Sequence, residues 1–195
     1  MNQYQIRRLP AIRGFTFIEL MVAIAVLAIL LTLAVPSVQK IIRDSRVSSQ
    51  KNEVIALINL TRNQAIRRGI DAGDTVTVAG VEEPLEARLR LDASTSPVGW
   101  SGNVSVTGGD TAQGCPSDVI RCSDNVNVEL ATGSTVLSFE SRGYLDPFEE
   151  TFICLKHTGE NCTGKRQHVE IHVLRSGQIQ TSNLACDETC GGTEG

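Results

Sequence analysis

The sequence contains no G-x-S-x-G elbow, no phosphate-binding P-loop and no H-E-x-x-H pair, so common signatures of acyl transfer, nucleotide binding and zinc hydrolysis are missing. The acid pairs Glu82-Glu83 and Glu149-Glu150 sit beside Pro84 and Pro147 and read as solvated turn residues. No internal repeat is present, which excludes a solenoid. No acidic residue precedes Glu19, and the only charges of the first 14 residues are Arg7, Arg8 and Arg13. No cysteine precedes Cys115. A length of 195 residues leaves room for one domain with its own core plus an appended segment, and is short for a two-domain enzyme. Hydrophobic and charged shares of 41% and 21% exclude wholesale disorder. The formal net charge is −4; without the three leader arginines, 15 basic residues face 22 acidic ones, a net of −7. That balance argues against broad attraction to nucleic acid.

What is present begins with an apolar run. From Phe15 to Val35 the only charge is Glu19, and these 21 positions predict a helix of roughly 32 Å, enough for a hydrocarbon core of about 30 Å. Thirteen positions are Phe, Leu, Ile or Val. Together they favour insertion by about 4 to 8 kcal/mol, more than a near-terminal carboxylate costs. A secretory signal peptide has a shorter apolar core, although Ala23-Ile24-Ala25 imitates a cleavage site. A plain anchor has no reason to carry an acid, and a charge in a span is a functional hypothesis.

The segment Arg13-Gly14-Phe15-Thr16-Phe17-Ile18-Glu19-Leu20 resembles the class III signal of type IV prepilins and of type II secretion pseudopilins. The resemblance implies that a prepilin peptidase cuts after Gly14, that the new amino terminus at Phe15 is N-methylated, and that the apolar helix is kept. It also implies that Glu19 pairs with the terminal amine of a neighbouring subunit during assembly and that Pro36 kinks the helix. Physically, a carboxylate in an apolar medium needs a partner, and staggered helices of a filament can supply one. The leader arginines predict an amino terminus in the cytoplasm and a periplasmic remainder, although Lys40, Arg43 and Arg46 beyond the span make the charge asymmetry modest.

Beyond Pro36 the pattern stays helical to Arg68, with Val47, Val54, Leu57, Ile58, Leu60, Ala65 and Ile66 as an apolar stripe for a sheet. Gly69 follows Arg67-Arg68 as a left-handed cap. Candidate strands are residues 75–78, 86–91, 103–106, 127–130, 135–139, 151–155, 168–174 and 178–181, suited to an antiparallel sheet or two small packed sheets. The expected organisation is a leader over 1–14, a transmembrane and assembly helix over 15–36, an amphipathic helix over 37–69 and a β-rich domain over 70–195. The helix-end run Leu57 to Arg68, Gly99-Trp100 before a strand, and the order of the last strands to Ser176-Gly177 narrow the resemblance to the GspH/FimT group. That group implies an α+β type IV pilin fold, with a long amino-terminal helix packed on an antiparallel sheet domain with disulfides.

The cysteines are Cys115, Cys122, Cys154, Cys162, Cys186 and Cys190, an even number that suits an oxidising compartment. Fifteen pairings are open. Read locally, Cys115 with Cys122 closes a short loop, while the resemblance implies that Cys154 reaches Cys186 or Cys190. Cys154, His157, Cys162, His168 and His172 crowd together, but the C-x2-C spacing of structural zinc sites is missing. No metal and no cofactor are expected.

Some members of the group bind DNA through a G-R-x-R motif, and the matching positions here are Gly177-Gln178-Ile179-Gln180, with glutamine at both arginine positions. Glutamine cannot neutralise phosphate. Lys156, Lys165, Arg166 and Arg175 remain as a candidate basic patch. The resemblance implies a structural protein rather than an enzyme. Its expected role is a minor pilin of a type IV pilus that primes assembly or sits at the tip, with a type II secretion pseudopilin and a displayed DNA-binding subunit as alternatives. The implied partners are other minor pilins, the major pilin, the peptidase, the assembly platform and the inner membrane.

Overall fold

A computed structural model describes residues 15–71, 73–78, 80–95, 98–106, 120–126, 128–133, 135–157, 168–184 and 190. The chain divides into two compact units, Met1–Ile41 and Ile42–Gly195. Helix α1 (Phe17–Arg68) contributes to both.

In the first unit the helix starts two residues later than the apolar run. Thr16 stops it, because its hydroxyl oxygen accepts the Glu19 amide at 3.3 Å and its carbonyl accepts the Leu20 amide. This is one half of a T-x-x-E capping box. Every described apolar side chain from Phe15 to Leu31 that is large enough to matter is exposed, from Met21 at 48% to Phe15 at 83%. Among the described residues no helix is long and apolar enough to cross a membrane. Pro36 lies within the helix, and its side chain is outside the described residues.

In the second unit the helix presents Val47, Val54, Leu57, Ile58 and Ala65 to the core. Two corrections to the predicted stripe follow from the helical rotation of 100° per residue. Ile66 turns out of the face and is exposed, whereas Thr61 continues the line of Val54 and Ile58 and is fully buried. Its hydroxyl donates to the Leu57 carbonyl at 2.8 Å, so no polar group is stranded. The helix ends as Gly69 predicts. Gly69 takes φ 63°, its amide donates to the Ile66 carbonyl, and the Ile70 amide donates to the Ala65 carbonyl, the paired bonds of a Schellman motif.

Eleven strands follow among the described residues. β1 (Thr75–Val78) and β2 (Val81–Pro84) make a two-stranded ribbon. β3 (Ala87–Thr95), β4 (Val98–Ser105), β5 (Arg121–Val126), β7 (Thr135–Phe139) and β8 (Leu145–Asp146) form a five-stranded sheet in the order β5-β4-β3-β7-β8. β6 (Val128–Leu130), β9 (Thr151–His157), β10 (His168–Val173) and β11 (Ile179–Leu184) form a four-stranded sheet in the order β11-β10-β9-β6. All pairings are antiparallel. A long helix followed by two small antiparallel sheets is the α+β arrangement anticipated.

The core collects Leu89, Leu91, Trp100 and Phe139 from one sheet and Ile153, Leu155 and Ile171 from the other, closed by the helix stripe. At Gly102 helix and sheet pack closely: a Cβ there would meet Leu91, Leu57 and Trp100 side-chain atoms at 2.8 to 2.9 Å. Two sequence expectations are overturned here. Trp100 does not precede a strand but lies inside β4, opposite Ala93. Glu82, Glu83 and Pro84 are not turn residues, because the ribbon pairs them with Thr77, Val76 and Thr75; Pro84 ends its strand, where a missing donor is tolerated.

Candidate functional site

The amino-terminal junction is the first candidate. Gly14 is outside the described residues, and Phe15 is the exposed residue that follows it. Thr16 caps α1, so Glu19 falls in the first helical turn, where the positive end of the helix dipole favours its carboxylate. The side chain is exposed, and among the described residues no cation pairs with it. The apolar side chains that follow have no covering protein within their own unit. The segment therefore combines an unpaired acid with an apolar surface on all sides, and the described residues of its own unit satisfy neither.

The sheet domain holds the other candidates. Cys154, buried in β9, is joined by a disulfide to Cys190, with Cα atoms 6.1 Å apart. This agrees with one of the two partners that the resemblance implied for Cys154. Cys122 is also disulfide-bonded, to a residue outside the described ones. Cys115, Cys162 and Cys186 lie outside the described residues, and with them the suggested Cys115–Cys122 loop. The sulfurs of Cys154 and Cys190 and a carboxylate oxygen of Glu170 approach within 4.8 Å. Both sulfurs are spent in the disulfide, so the trio is not a ligand set in the oxidised protein.

His168 and His172 do not converge. His172 on β10 stacks on Phe152, with ring centroids 4.2 Å apart, and its Nε2 lies 3.0 Å from Glu150 Oε2. His168, at the other end of the strand, is level with Lys156 on β9. Burial, and then the Lys156 ammonium, push the His168 imidazole below its ordinary value, while Glu129 pulls it the other way.

The candidate basic patch is not assembled by its described members. Lys156 pairs with Glu129 at 3.1 Å near one end of the β9–β10 pair. Arg175 lies beyond the other end, 3.9 Å from Glu150 and over the Phe148 ring at 5.9 Å. Each cation has its own carboxylate. Lys165 and Arg166 are outside the described residues.

Sequence reasoning missed a groove of about 800 Å³ between α1 and the turn leading into β11, lined by Asn59, Arg62, Tyr144, Gln178, Ile179 and Thr181 among others. Arg62 sits at its heart. Its Nη2 donates to the Ser176 carbonyl at 3.4 Å, whereas its buried Nε has no hydrogen-bond partner. Gly143 and Gly177, with φ 78° and 73°, press two turns against this guanidinium; a Cβ on Gly143 would meet Arg62 Nε at 2.7 Å, and one on Gly177 would meet it at 3.1 Å. The two turns come from distant parts of the chain, so no local spacing announces the site.

Residues 10–35 match the model of the prokaryotic N-terminal methylation motif. The chain carries the N-methylation motif of type IV pilins. The matched stretch brackets Gly14 and Phe15 and contains Glu19. Among solved structures, two crystal forms of the type IV minor pilin FimU of Pseudomonas aeruginosa are similar. One is 16% identical, with 69% of this chain and 91% of that chain covered and a TM-score of 0.44. The other is 16% identical, with 71% and 89% covered and a TM-score of 0.46. A likeness that loose carries no functional weight. No curated protein matches the sequence.

Proposed function

We propose that the chain is the precursor of a minor subunit of a type IV pilus, a structural protein rather than an enzyme. The observation that carries this reading is the methylation motif laid across Gly14 and Phe15, immediately before a helix that exposes apolar side chains on every side. A prepilin peptidase cuts after Gly14, Phe15 becomes the methylated amino terminus, and the helix stays as a single-span anchor with its start on the cytoplasmic side. Assembly then draws the subunit from the inner membrane into the pilus, where Glu19 pairs with the terminal amine of a neighbour. Removal of an unpaired charge from an apolar medium drives that contact. The partners are other minor pilins, the major pilin, the peptidase and the inner-membrane platform, with a place at the tip or in the priming complex.

DNA is the less favoured ligand, since Lys156 and Arg175 of the candidate patch are each engaged by a carboxylate and Gly177-Gln178-Ile179-Gln180 carries no cation of its own. Co-expression with a prepilin peptidase tests the reading: intact mass should fall by the first 14 residues and rise by one methyl group. A chain left uncut, or cut after Ala25, overturns it. Deletion of the gene should remove pili and leave exoprotein secretion intact; the reverse outcome assigns the subunit to type II secretion.

A further inference from the structure

The outer edge of β11 and the groove beside it are built to be covered. β11 ends the four-stranded sheet, and among the described residues no strand pairs with its outer edge. Natural edges are blunted by lysine, proline or a bulge. Ile179–Leu184 reads Ile-Gln-Thr-Ser-Asn-Leu, with no charge and no proline, and it pairs with β10 residue for residue without a bulge. Its backbone donors and acceptors are thus presented in register to whatever lies alongside.

The groove next to this edge holds a cation that its own subunit leaves unanswered. Among the described residues no carboxylate pairs with Arg62, and its Nε is sealed from water by the two glycine turns without gaining an acceptor. The rest of this half-buried guanidinium lines the groove, where a carboxylate can accept two parallel hydrogen bonds from it. Asn59 and Gln178 supply further side-chain hydrogen-bonding groups, and Ile55 and Ile179 an apolar floor. About 800 Å³ lies in the usual range of ligand clefts, roughly 300 to 1,000 Å³.

A second groove continues along the same strand, lined by Asp44, Ser48, Lys51 and Asn183. There the buried Oδ1 of Asp44 also lacks a hydrogen-bond partner. Asp44 and Arg62 stand on one face of α1, about five turns and roughly 27 Å apart. The edge of β11 is therefore flanked by an unanswered cation at its start and an unanswered acceptor toward its end.

We propose that an extended segment of a partner polypeptide adds to β11 as a further antiparallel or parallel strand and seats an acidic side chain on Arg62. Main-chain bonds to β11 provide affinity, and the guanidinium selects the acid. The groove is built from residues of the second unit alone, so an uncut Gly14–Phe15 bond would refute the proposed function and leave this groove standing.

The full chain in detergent micelles, with 15N-labelled backbone and arginine side chains, is titrated with acetyl-Thr-Val-Glu-Val-Thr-amide and with its glutamine twin. The acidic peptide should shift the amides of Gln180 to Leu184 and the Arg62 Nε signal, and should bind about tenfold more tightly than the twin. Arg62→Gln should erase the preference between the two peptides, while Arg62→Lys keeps a reduced part of it. Equal binding of the twins to the unaltered protein, shifts confined to another surface, or no shift at about 10 mM peptide overturns the proposal, and none of these readouts depends on a variant folding.

Discussion

Thr16 accepts the backbone amide of Glu19 across 3.3 Å, so the residue that stops the helix also fixes the acid in its first turn. Thr16→Ala removes the cap and should weaken the helix start by about 0.5 to 2 kcal/mol. Hydrogen exchange in detergent micelles checks this: the Glu19 amide should exchange several-fold faster in Thr16→Ala and near the native rate in Thr16→Ser. Unchanged exchange in the alanine variant would show that the hydroxyl is not the cap.

Glu19→Ala should leave membrane insertion intact and lower incorporation into pili. Insertion is set by the summed apolar side chains, which the change slightly favours, whereas assembly needs the negative partner. Fractionation of membranes and sheared pili separates the two effects. Normal incorporation would remove Glu19 from the mechanism.

The start and the end of the same helix differed in legibility for a physical reason. Gly69 after Arg67-Arg68 is a local signal, because a left-handed residue must close the last turn, and the bonds from Gly69 and Ile70 are the outcome. The T-x-x-E box at Thr16 was equally local, but an unbroken apolar run has no polar face against which a helix start stands out. Buried alternation gave away strands such as His168–Val173, with every second residue in the core. Arg121–Val126 has no such alternation and is a strand because β4 pairs with it. The Arg62 groove had no signal at all: the carbonyl that holds the guanidinium is 114 residues away in the chain.

The Cys154–Cys190 disulfide spans 36 residues and should stabilise the folded domain by about 2 to 4 kcal/mol. The double variant Cys154→Ser, Cys190→Ser should shift the urea midpoint of the oxidised protein downward by a corresponding amount. A midpoint equal to that of the native protein would show that the closed loop contributes nothing to stability.

Gly102→Ala places a methyl group against Leu57, Leu91 and Trp100 where those side chains leave less than 3 Å. Overpacking of this kind costs about 1 to 3 kcal/mol. Leu57→Ala in the same chain opens the space, so the double variant should lose less stability than the two single losses added together. Strict additivity would argue that Gly102 and Leu57 do not share the contact.

His168 gives the domain a dependence on mild acid. Its folded-state value lies below the unfolded value of 6.5, so the neutral ring is favoured in the folded protein. The contribution is complete above that unfolded value and is lost as pH falls through the depressed folded value. Urea stability should therefore decline between about pH 7 and pH 5, and His168→Gln should flatten that decline. A slope unaltered by the substitution would assign the acid sensitivity to other groups.

Cys154 sits in β9, an inner strand, while Cys190 lies beyond β11, the strand at the rim. Tension applied at the far end of the polypeptide therefore does not peel β11 from the rim first, as it would in an untethered sheet. It is delivered through the sulfur link to the middle of the sheet, where two neighbouring strands must shear together before anything yields.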